Sequence, residues 1–128
     1  MSKRVLQVID QPYRCTIEEQ DDPVLWITQA MKGAGGEFGL LLRGSAVNYA
    51  VRGQDAGGLR FGDRVQTQPP RIDAEVERLL AKGIPVYFVR EDAAERGLDL
   101  EAFVSGVKSV PQASLPGLFS EFDSIWHW

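Results

Sequence analysis

The chain has 128 residues, 44% hydrophobic and 25% charged, with a formal net charge of −4. That is the size and composition of one globular domain, spanning 1–128, which excludes a disordered chain and can bury a core without disulfide or metal. One Cys and one His exclude an intrachain disulfide and a zinc site of Cys and His ligands, and the acidic balance argues against a dedicated nucleic-acid binder, whose affinity comes from neutralising phosphates.

Met1-Ser2-Lys3-Arg4 leads into Val5-Leu6-Gln7-Val8-Ile9. This run is too short and interrupted for a signal peptide, and nothing in the chain approaches the roughly 18–20 apolar residues of a membrane span. A soluble, cytoplasmic protein is expected, with no membrane or nucleic-acid partner. The run itself predicts a strand buried on both faces. A polar, turn-rich loop follows from Gln11 to Asp22. Asp22-Pro23 then predicts an N-cap and a first helical residue. Val24, Ile27 and Met31 carry that helix to Lys32, and Gly33-Ala34-Gly35-Gly36 stops it.

Phe38 to Leu42 predicts the second buried strand, with Ser45 capping a short helix from Ala46 to Val51. Periodicity disappears from Arg52 to Arg71, where Gly53, Gly57, Gly58 and Gly62 break any helix. Such structureless stretches usually have a task. Ile72, Val76, Leu79 and Leu80 predict an amphipathic helix ended by Lys82-Gly83. Pro85 to Val89 is the third strand, and Arg90 to Arg96 a charged loop or short helix. Another helical turn is expected within Leu98 to Phe103. Val107 to Val110 is the fourth strand, and Leu115, Leu118, Phe119 and Phe122 mark a last helix capped by Ser114 with Pro116 in its first turn. Ser124 to Trp128 is the fifth strand.

Alternating strands and helices predict a parallel sheet with helices on both faces. Its core is expected from Val5, Val8, Leu40, Leu41, Val86 and Phe88. Ligands in such sheets sit beyond the carboxyl ends of the strands, here Gln11–Cys15, Arg43–Val47, Arg90–Arg96 and Pro111–Ser114. The phosphate loop, the dinucleotide fingerprint and the nucleophile elbow are all absent.

Cys15, the sole thiol, falls at that edge. Arg14 beside it favours the thiolate, whereas Glu18, Glu19, Asp21 and Asp22 oppose it, and a lone Cys is more often a small hydrophobe. Asp10, Glu91 and Asp92 are carboxylates near strand ends, suited to acid–base work or to capping. His127 faces one way on its strand and Trp126 and Trp128 the other. Arg52, Arg60, Arg64 and Arg71, against Asp55 and Asp63, are suited to an anion or an acidic partner, or to a solvated or interface loop.

Several segments together resemble the DsrE/DsrF-like family, which includes the Tus sulfur-relay subunits and YchN. They are Val8-Ile9-Asp10-Gln11-Pro12-Tyr13, Gly44-Ser45-Ala46-Val47 with Val51-Arg52-Gly53-Gln54, Gly83 to Val89 followed by Arg96-Gly97-Leu98, Gly106-Val107, and Phe122 to Trp126. The resemblance implies a three-layer α/β/α sandwich around a five-stranded, mainly parallel sheet. It also implies a homo-oligomer, trimer or hexamer, that works with other sulfur-relay proteins. No cofactor or metal is expected. Active members look like persulfide carriers, sulfurtransferase-like at most, with a Cys near the end of the third strand. Here Val89 to Glu95 contains none. Two functions follow: a sulfane-sulfur carrier through Cys15, or a non-catalytic binding or scaffold subunit. A small-molecule enzyme at the strand ends is a weaker third. The expected binding residues are Tyr13, Arg14, Ser45, Arg90, Asp92 and Arg96. The expected interface residues are Tyr49, Leu59, Phe61 and Val65.

Overall fold

The computed structural model describes residues 3–14, 21–54 and 57–128. Cys15, Glu18, Glu19 and Asp55 lie outside the described residues. Five strands, β1 (Arg4–Ile9), β2 (Glu37–Leu42), β5 (Val86–Val89), β6 (Lys108–Val110) and β7 (Ser124–His127), form one sheet in the order β6-β5-β2-β1-β7. Every pairing in it is parallel. The helices are α1 (Pro23–Gly33), α2 (Ile72–Ala81), α3 (Arg90–Glu95) and α4 (Leu115–Ser120), with 3-10 turns at Gly44–Ala50, Leu100–Ala102 and Gln112–Ser114. This is a DsrEFH-like α/β/α sandwich. Among the described residues, no helix is long and apolar enough to cross a membrane.

Alternation along the strands divides the core. Val5, Ile9, Leu40, Leu42, Val86 and Phe88 point to one face and pack against α1, α2, α3 and the 3-10 turn Gly44–Ala50. Leu6, Val8, Leu41, Val89 and Val110 point to the other, covered by Leu115, Leu118 and Phe122 from α4 and its C-terminal turn. The uneven cover follows from strand order. The steps β1→β2→β5→β6 all run one way across the sheet, and right-handed crossovers place their helices on one face. Only β6→β7 runs back, so α4 alone falls on the opposite face.

All six expected core residues are buried. Asp22 caps α1 as expected, its Oδ1 accepting from the Val24 and Leu25 amides at 2.9 and 3.0 Å. Two expected caps are corrected. Ser45 lies inside its 3-10 turn, whose N-cap residue is Arg43. Ser114 has a helical backbone (φ −91°, ψ −3°) and no side-chain cap bond, because a capping hydroxyl needs an extended backbone at that position. The segment without periodicity also contains structure: β3 (Arg60–Phe61) and β4 (Arg64–Val65) pair as an antiparallel hairpin. Gly62 at its turn has φ +61°, a left-handed conformation that costs glycine nothing.

Candidate functional site

Three clusters gather where the strands end. The first joins β2 to α3. Gly44 follows β2 with φ +53°, and its amide donates to Asp92 Oδ2 at 2.7 Å. Arg96 donates to the Asp92 carbonyl at 3.0 Å and to Ser45 Oγ at 3.3 Å, with Glu95 at 3.8 Å. Thus Arg96 brings Ser45 and Asp92 of the expected binding residues into one cluster. Ser45, however, is bonded to a guanidinium, which cannot accept its proton, so this contact does not activate a nucleophile. Glu91 accepts from the Gln112 amide at 3.0 Å, tying α3 to the loop after β6. Arg90 is exposed, and its side chain forms no hydrogen bond or ion pair among the described residues.

The second cluster is Asp10 and His127, at the ends of β1 and β7. His127 Nε2 lies 2.7 Å from Asp10 Oδ2, and the pair is partly exposed, 56% for His127 and 37% for Asp10. This is the point where the direction of the crossovers reverses, the crevice in which open α/β sheets hold ligands. A Cβ on Gly44 would lie 3.7 Å from the Asp10 carbonyl and 3.9 Å from Arg96, so the first two clusters adjoin. Asp10, Glu91 and Asp92 do not form an acid–base pair. Each is committed to a separate partner.

The third cluster is buried. The Tyr49 hydroxyl donates to Asp22 Oδ2 and accepts from the Tyr13 amide. Asp22 in turn donates its amide to both oxygens of Glu75 at 3.3 Å. Burial, with Asp21 and Asp22 adding negative charge, pushes the Glu75 carboxyl up to about 8, against the Asp22 amide and Arg78, which favour its charged form. Burial and the bond to Asp22 raise the Tyr49 phenol and keep it a donor. Tyr13 sits at φ +63°, a conformation uncommon for a residue with a Cβ, held by Tyr49 and by its own hydroxyl on Gln54 Oε1 at 3.0 Å. Arg14 beside it is exposed.

Tyr49 was expected at an interface, and this is corrected. Its side chain is 0% exposed, because its ring fills the core under the 3-10 turn while its hydroxyl serves this network. Leu59, Phe61 and Val65 are exposed, 37%, 72% and 47%. The pairing of Asp10 with His127 was not legible in the sequence: the two are 117 residues apart, and only strand order brings them together. Likewise no local motif announces Glu75, which reads as one acid in the first turn of an amphipathic helix. Among the described residues, no group of three or more His, Cys, Asp or Glu side chains is placed to hold a metal ion.

A parallel five-stranded sheet whose last strand returns beside the first, with helices on both faces, defines a known class of α/β fold. Its solved members include YchN from Escherichia coli, to which this chain is 21% identical with a TM-score of 0.74 over 100% of both chains. A protein of unknown function from Bacteroides thetaiotaomicron is 12% identical with a TM-score of 0.69, over 98% of this chain and 95% of that one. Another from Methanobacterium thermoautotrophicum is 13% identical with a TM-score of 0.66, over 98% and 99%. No protein-family model and no curated protein matches the chain. What the solved structures share with it is the fold, the one implied by the family resemblance in the sequence.

Proposed function

We propose that the chain is a non-catalytic binding subunit of a cytoplasmic sulfur-relay oligomer. The reading rests on the end of β5. There the family resemblance implies a carrier cysteine, and this chain has Arg90-Glu91-Asp92. Two of these side chains hold neighbouring loops: Asp92 the Gly44 amide and Glu91 the Gln112 amide. That edge is built to keep its shape, which suits recognition of a partner better than thiol exchange. A carrier needs an accessible, low-pKa thiol, and Cys15 is the one thiol available.

The test is sulfur transfer. The full chain is incubated with polysulfide, desalted, and offered to an acceptor thiol protein, with intact mass followed on both. The expected result is no onward transfer, with wild type and Cys15→Ser indistinguishable. Transfer of sulfur that disappears in Cys15→Ser would restore the carrier function and end this one.

A further inference from the structure

The β3–β4 hairpin leaves both of its apolar side chains exposed. Pairing Phe61 with Arg64 and Arg60 with Val65 places one apolar and one cationic side chain on each face of the ribbon. Phe61 is 72% and Val65 47% exposed. The side chains of Arg60 and Arg64 make no hydrogen bond or ion pair among the described residues. Two-stranded ribbons of this length are not stable unless packed against something.

Elsewhere the same chain presents the complementary pattern. Glu95, Asp99, Leu100 and Glu101, along α3 and the turn after it, are all exposed. Leu100 is 48% exposed among these acids. Among the described residues the Glu95 carboxylate pairs only with the flanking Arg96, at 3.8 Å, and Asp99 uses one oxygen on the Glu101 amide. The strip, three acids with Arg96 among them and Arg52 on the Glu101 carbonyl at 2.6 Å, keeps a net negative charge around Leu100, and the hairpin, Arg60 and Arg64 against Asp63 at its turn, a net positive charge around Phe61.

We propose that the hairpin docks on the Glu95–Glu101 strip of a second copy of this chain through its Phe61–Arg64 face, Phe61 packing on Leu100 while Arg64 pairs with the acids. This rests on the oligomeric reading above and adds the surfaces that meet. Charge complementarity favours a second copy as the occupant. With a net charge of −4, two copies repel on average, and a contact that brings the basic hairpin to an acidic surface lowers that repulsion. Because the two surfaces differ, the contact either closes a ring or repeats reciprocally about a two-fold axis.

Light scattering on a sizing column, with the full chain at about 100 µM and low salt, tests this. Wild type should run as an oligomer. Arg60→Glu/Arg64→Glu and, separately, Asp99→Lys/Glu101→Lys should run as monomers with unchanged far-UV circular dichroism. Mixing the two variants should restore the oligomeric mass, since each hairpin then meets a strip of opposite sign. If a reversal perturbs the fold, Arg60→Gln/Arg64→Gln serves in its place and should still lower the mass. A monomeric wild type overturns the proposal. So does a folded variant of unchanged mass, or a mixture that stays monomeric. An oligomer indifferent to these changes removes this contact yet leaves the binding-subunit reading standing, whereas sulfur transfer by Cys15 removes that reading and leaves the contact.

Discussion

Glu75 is 4% exposed, and its carboxyl shares a buried space with Asp22. Its folded-state value of about 8 lies above the ordinary 4.5, so the native state binds a proton that the unfolded chain releases. Stability from this group is therefore full below about 4.5, falls as pH rises, and levels off above about 8. The groups facing it are Asp21, Asp22 and Arg78, with Tyr49 acting through Asp22. Urea midpoints should accordingly be lower at pH 9 than at pH 5. Glu75→Gln keeps the shape without the charge, and should flatten that slope and stabilise the protein at pH 9 by about 1–3 kcal/mol. An unchanged slope in Glu75→Gln would place the proton elsewhere. Tyr49→Phe keeps the buried ring but strips the shared hydroxyl, leaving Asp22 Oδ2 and the Tyr13 amide without it. It should cost about 1–3 kcal/mol in the same assay. A loss below about 0.5 kcal/mol would mean that water takes the place of the hydroxyl.

At the scale of elements, β2 shows how a strand yields to its neighbour. Gly39 interrupts the apolar run Phe38–Leu42, and a Cβ there would lie 2.7 Å from Phe122 Cζ and 3.4 Å from Leu6. The missing side chain is the room that Phe122 uses to cap the second face. Gly39→Ala should destabilise by about 1–3 kcal/mol through overpacking, and Gly39→Ala with Phe122→Leu should recover part of it. If thermal melts show the single substitution to be neutral, the ring moves aside freely. The same scale separates what the sequence discloses from what it hides. Val5 to Ile9 and Phe38 to Leu42 are apolar on both faces, so burial under two layers was legible from composition alone. Asp22-Pro23 carries its cap locally and was also legible. The hairpin has two residues per strand, too few for alternation to register. Ser45 and Ser114 have capping side chains but not the backbone angles. The carboxyl edge could be listed by residue, yet its pairings, Gly44 with Asp92 and Asp10 with His127, depend on which strands lie side by side.

For the whole molecule, the uneven cover of the sheet sets where it opens. Four of the five strands share the thick layer of α1, α2 and α3. β7 sits at one edge, with Ile125, Trp126 and Trp128 37–40% exposed. It is held by backbone bonds to β1, by the Asp10–His127 pair, and by Trp128 Nε1 on Gln7 Oε1 at 2.7 Å. An exposed pair of that kind contributes about 0–1 kcal/mol. Hydrogen exchange in low denaturant should therefore show the β7 amides opening together below the global free energy, while Leu40, Leu41 and Leu42 in β2 exchange only on full unfolding. Equal protection in both strands would mean that the edge is as secure as the centre.

The placement of β7 beside β1 also bears on how the protein is made. On the ribosome the amino-terminal strands emerge first, and a chain begins to collapse before synthesis ends. β1, β2, β5 and β6 can assemble in the order they appear, but one flank of β1 then stands bare until every other strand of the sheet has been translated. During that interval its unpaired amides and carbonyls, with Leu6 and Val8 beneath a face that α4 has yet to close, form a sticky template for neighbouring nascent chains. Slowing translation between β6 and β7 should therefore raise the aggregated fraction more than the same delay placed upstream of β2.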